Sequence, residues 1–100
     1  MKKCYNSGKI TGLPILDYIL NFLDADDEIK ELGYNPINPL THVMSADVPW
    51  WLHMITDIAL LLTCRTAYFQ RNWKESKGAR IEHRIAKFFL LKIIYQDEKI

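Results

Sequence analysis

Strand-like and helix-like stretches alternate along the whole chain, and no other feature restricts the possible folds as strongly. Residues 2–6 (KKCYN), 34–40 (YNPINPL), 66–70 (TAYFQ) and 91–96 (LKIIYQ) read as strands, whereas residues 14–32, 49–64 and 77–90 carry helical spacing. The order β-α-β-α-β-α-β calls for a parallel sheet, because each helix returns the chain across a sheet face by a right-handed crossover. Residues 67–69 (AYF) are apolar throughout, as a strand covered on both faces should be. Pro36 and Pro39 place the second strand near an edge. The expectation is one α/β domain over residues 1–100, a small Rossmann- or flavodoxin-like three-layer unit with about four mainly parallel strands and three main helices. Ligands of such sheets lie beyond the C-terminal strand ends, at a topological switch point.

The helical spacing also predicts which faces turn inwards. On the first helix Ile15, Tyr18, Ile19, Phe22 and Leu23, continued by Ile29 and Leu32, form the inner stripe, with Asp24, Asp26, Asp27 and Glu28 as a solvated far side. Pro14 suits its first turn and Gly33 its C-terminal stop. The second helix is expected to start near Asp47 and to bury Trp51, Leu52, Ile55, Ile58, Ala59 and Leu62. Ile81, Ile85, Phe88 and Phe89 form the inner stripe of the third. Residues 41–48 are the longest irregular piece and suit a flap.

Composition narrows the function classes. A chain of 100 residues is long enough for one unstapled core, and no apolar run approaches the roughly 20 residues of a membrane span. Two cysteines without CxxC spacing and a start lacking a signal-like apolar region predict a reducing cytoplasm. Cys4, Cys64, His42, His53 and His83 show no metal-ligand spacing, so neither a metal nor another cofactor is expected. The net charge of +1 is unevenly spread: residues 1–50 hold 4 Lys and Arg against 7 Asp and Glu, residues 51–100 hold 9 against 5. Arg71, Lys74, Lys77, Arg80, Arg84 and Lys87 fit a phosphate-bearing small molecule better than nucleic acid, since no run of aromatics is interleaved with them.

Those cations surround NWKESKGARIEHRIA, residues 72–86. Ser76 can cap a helix whose first turn, at Gly78 and Ala79, is almost bare. Helical side chains lean towards the N-terminus, so Glu82 should project over that turn, beside N–H groups that suit an anion. The loop SGKITGLP, residues 7–14, offers the same backbone donors through Gly8 and Gly12. Asp57 lies mid-helix among apolar neighbours, where partial desolvation would suit an acid. Each feature has a plainer explanation, a solvated carboxylate or an ordinary strand-to-helix loop, and Trp50 with Trp51 suits core and lid packing. Tyr5, Ser7, Gly8, Trp73 and Ser76 nevertheless all fall at C-terminal strand ends, on one edge of the expected sheet.

In combination, YNSGKITG, Asp57 and SKGARIE with Glu82 resemble the nucleoside 2-deoxyribosyltransferase-like superfamily, in particular its small phage- and prophage-associated members. The resemblance covers nearly the whole chain. It implies that Glu82 attacks the anomeric carbon of a 2'-deoxyribosyl group, that Asp57 helps protonate the departing base, and that Tyr5 orients the glutamate. Ser76, six residues before Glu82, is similar to the serine of the 2'-deoxynucleoside 5'-monophosphate N-glycosidases rather than to the aspartate of the transferases. Lys9 and Thr11 stand where those glycosidases carry serine and arginine.

The expected function is therefore cleavage or exchange of the N-glycosidic bond of a 2'-deoxynucleoside 5'-monophosphate. Glu82, Asp57 and Tyr5 would be the catalytic set, with Ser7, Gly8, Lys9, Ile10, Gly12, Trp73, Ser76 and Gly78 binding substrate. The alternative is a non-catalytic nucleotide-binding or sensor module of phage origin. The resemblance further implies a homodimer or larger homo-oligomer, to which exposed aromatics at Trp50, Tyr68 and Phe69 would contribute.

Overall fold

The computed structural model describes residues 2–42 and 49–98. Its elements follow the expected alternation: β1 (Lys3–Ser7), α1 (Ile15–Glu31), β2 (Asn35–Ile37), α2 (Trp50–Leu62), β3 (Thr66–Phe69), α3 (Lys77–Phe88) and β4 (Lys92–Tyr95). Short 3-10 turns occupy Pro39–His42, Trp73–Glu75 and Gln96–Glu98. The four strands are all parallel, in the order β2-β1-β3-β4. This is a compact α/β domain of the small Rossmann- or flavodoxin-like kind. The expected start of α2 at Asp47 lies outside the described residues; the helix is described from Trp50, after Pro49.

Strand alternation divides the core into two halves. Tyr5, Ala67 and Phe69 meet Leu61 of α2 and Ala86 of α3 on one face, while Cys4 and Tyr68 meet Ala25 and Ile29 of α1 on the other. The chain leaves β1 towards β2 on one side and returns to β3 on the other. That reversal opens a crevice above β1 and β3, the place where parallel sheets hold ligands.

The helix faces depart from the expected stripes. In α2 the buried residues are Met54 and Leu61, whereas Trp51 and Ile55 are 59% and 54% exposed and Leu62 is also exposed. The helix is apolar nearly all round, so spacing alone could not say which side meets the sheet. In α1 Phe22, Ala25 and Ile29 point inwards, and Ile15, Ile19, Leu23 and Leu32 stay exposed. Asp26 and Glu28 are not a solvated face: Asp26 accepts bonds from Asn6 and Asn38, and Glu28 accepts one from the Tyr68 hydroxyl. The most buried residues of α3 are Ala79, Glu82 and Ala86; the expected Ile85 packs beside them, whereas Phe88 and Phe89 are exposed. Tyr68 and Phe69 are fully buried and cannot serve self-association.

Two helix ends use the same left-handed stop with different residues. After α1 the turn is made by Gly33, φ +92°, with the Tyr34 N–H donating to the Ile29 carbonyl. After α3 it is made by Leu90, φ 59°, with the Leu91 N–H donating to the Ala86 carbonyl. A leucine side chain is strained in that region, and this one is 89% exposed, so little packing compensates. Leu90→Gly is expected to stabilise the fold by about 1 kcal/mol, read as a higher urea midpoint with unchanged slope.

Candidate active site

Side chains two apart on a strand share a face, so Tyr5 and Ser7 leave the C-terminal end of β1 on the side covered by α2 and α3. Both reach Glu82. The Tyr5 hydroxyl donates to Glu82 Oε2 at 2.7 Å and the Ser7 hydroxyl donates to Glu82 Oε1 at 2.7 Å. α3 begins at the expected place, where the Ser76 hydroxyl accepts the Ala79 N–H at 3.2 Å. Glu82 stands one turn further along, over Gly78 and Ala79. A Cβ on Gly78 would come within 3.1 Å of the Met54 sulfur, so glycine lets α2 approach the first turn closely.

Only 5% of Glu82 is exposed. Burial pushes its carboxyl up to about 7; the Ser7 and Tyr5 hydrogen bonds pull it back, and the negative charge of Asp57 adds to the rise. The Tyr5 phenol is raised well above its ordinary value, first by burial and then by the charge of Glu82. Two carboxylates that feel each other on one cavity are a usual arrangement for glycosidic chemistry.

The cavity has a volume of about 630 Å³, inside the range of small-molecule sites. Tyr5, Asp57 and Glu82 line it, as do Ser7, Gly8, Lys9, Ile10, Ser76 and Gly78. Gly12 and Trp73 do not. Gly12, φ +89°, makes the turn that leads the loop into α1. Trp73 stacks on His83 at 4.1 Å beside Phe69 and Tyr95, which makes it a packing residue. Ser7, expected on the sugar or phosphate, lines the cavity and also holds Glu82. Its position two residues after Tyr5 carried that signal, because strand alternation gives both side chains the same face. Lys77 and Arg80, two of the cations expected near a phosphate, line the cavity, as does Trp50; spacing within each helix did not reveal that Tyr18, Phe22 and His53 do so too, because their convergence depends on how the helices pack.

The loop after β1 is held close to β3. A Cβ on Gly8 would lie 2.4 Å from the buried Gln70 carboxamide, and the Lys9 N–H donates to Asn72 Oδ1 at 3.1 Å. Lys9 and Thr11 keep their place at the cavity wall. Among the described residues no group of three or more His, Cys, Asp or Glu is placed to hold a metal ion.

A family model described as a domain of unknown function (DUF4406) matches residues 2–95, and the chain belongs to that family. No curated protein and no solved structure matches the chain.

The raised carboxyl fixes the sign of one linkage. Glu82 titrates near 4.5 when unfolded and near 7 when folded, so its contribution to stability is complete below about pH 4.5 and is lost as pH rises through 7. Glu82→Gln removes that loss. Relative to the parent, the variant is expected to gain about 3 kcal/mol between pH 4 and pH 8, measured by urea unfolding at both.

Proposed function

We propose that the protein cleaves or exchanges the N-glycosidic bond of a 2'-deoxynucleoside 5'-monophosphate. The observation that carries this reading is the buried Glu82 carboxylate held by the Tyr5 and Ser7 hydroxyls in a cavity that it shares with Asp57. In the ionised form, Glu82 attacks the anomeric carbon as the bond to the base breaks. Asp57 donates a proton to the departing base. Water, or a second base, then takes the sugar and gives its proton back to Asp57, which frees 2-deoxyribose 5-phosphate or a new nucleotide and restores the Glu82 carboxylate. Lys9, Lys77 and Arg80 line the same cavity and suit the 5'-phosphate, as does the N-terminus of α3.

Free base released from a panel of deoxynucleotides, with and without an acceptor base, tests the proposal by chromatography. Glu82→Ala is expected to lower release at least about a thousandfold. The value of kcat/KM is expected to rise with pH through about 7, because the ionised carboxylate is the reacting form. No release from any common deoxynucleotide would overturn the reading.

A second reading, a module that binds nucleotides without turnover, uses the same cavity and its cationic lining. It requires a rise in melting temperature with a nucleotide and no free base. A reducing cytoplasm is part of the proposal, supported by Cys4 and Cys64 as buried free thiols, the former pushed up to about 12 by burial. Among the described residues no helix is long and apolar enough to cross a membrane. Assembly of two or more copies is supported by the exposed Leu16 and Leu20 of α1 and Trp51 and Ile55 of α2, and light scattering decides it.

A further inference from the structure

β1 has a second polar side chain at its C-terminal end, and it points the other way. Asn6 lies between Tyr5 and Ser7 and is fully buried beneath the sheet, on the α1 side. Its amide donates to Asp26 Oδ1 at 2.8 Å and to the Phe22 carbonyl at 3.0 Å, while its oxygen accepts from Gln70 at 2.8 Å. Asp26 Oδ2 accepts the Asn38 amide at 3.0 Å, and Asn38 Oδ1 in turn accepts the Leu40 N–H at 2.9 Å. One carboxylate on α1 thus joins the ends of β1 and β2, and through Asn6 it reaches Gln70, beyond the end of β3. Gln70 lies directly under Gly8, and its N–H donates to the Ser7 carbonyl.

We infer that Asp26 is a positioning residue for Glu82: it anchors Asn6 from beneath and so fixes the strand end from which Tyr5 and Ser7 reach the carboxylate. Bonds from amides to a carboxylate are charge-assisted and stronger than neutral ones. With Asp26→Asn the new NH2 opposes one of two amide donors, and Asn6, being fully buried, has no water to replace the lost partner. The backbone at Asn6 then shifts, and both neighbouring hydroxyls move relative to Glu82. Tyr5 and Lys9 on the β1 side, Tyr18 on α1, His53 and Asp57 on α2, and Glu75, Lys77 and Arg80 around the start of α3 are the other ionisable groups of the cavity. The substitution removes none of these groups and alters the chemistry of none.

The effect on turnover rests on the proposed glycosidic chemistry; the effect on the charge of Glu82 does not. The Glu82 carboxyl resonance, assigned with Glu82→Gln, is followed by carbon NMR against pH in the full chain without ligand. Asp26→Asn is expected to raise its midpoint by about one pH unit, and to lower kcat for base release about tenfold with KM nearly unchanged. Asp27→Asn, an exposed neighbour with the same charge change, is expected to alter neither. A folded Asp26→Asn protein with an unchanged midpoint overturns the inference. If that variant does not fold, Asn38→Ser removes one arm of the network; it should raise the midpoint less, and no rise overturns the inference. A shifted midpoint in a protein that releases no base leaves Asp26 a positioning residue and removes the glycosidic reading.

Discussion

A carboxylate buried between two hydroxyl donors is the interaction on which the rest of the site depends. It requires Tyr5 and Ser7 on one face of β1, a helix that starts at Ser76, and little side chain over the first turn of that helix. It also explains why the most buried residues of α3 are Ala79, Glu82 and Ala86, with Ile85 packed beside them. Two small residues flank the glutamate and let it reach the hydroxyls. Phe88 and Phe89 are left exposed at the C-terminal end of the helix.

The balance of forces on Glu82 suits a group that must be both held and reactive. Removing a carboxylate from water disfavours its charge, and Asp57 adds to that penalty, whereas two hydroxyl donors favour it. The result is a carboxyl that ionises near neutrality in a cavity wide enough for a nucleotide-sized ligand. The opposing chemistry beneath β1 is of another kind. There a carboxylate and three carboxamides bond one another and hold the strand ends together.

Much of this arrangement was legible before any coordinates. Alternation of strand and helix gave the parallel sheet, and the strand ends brought Tyr5, the SGKITG loop, Ser76 and Glu82 to one edge. Glycine and proline marked the element boundaries to within a residue or two at Pro14 and Gly33. The helix faces were less legible, because α1 and α2 are apolar on more than one side and periodicity does not say which stripe meets the sheet. Trp73 follows β3, where a ligand wall is expected, but its ring stacks on His83, a pairing that local sequence does not reveal. Asp26 looked solvated within a run of four acidic side chains, and only its distance to Asn6 and Asn38 sets it apart.

The central claim is that Glu82 is the reacting group, and intact-protein mass spectrometry tests it most directly. The protein is incubated with individual 2'-deoxynucleoside 5'-monophosphates and quenched in acid. The account predicts a mass increase equal to a 2-deoxyribosyl 5-phosphate group, located by peptide mapping to the segment that contains Glu82 and absent from Glu82→Gln. An adduct that persists in Glu82→Gln, or the absence of any adduct with every common deoxynucleotide, would contradict it.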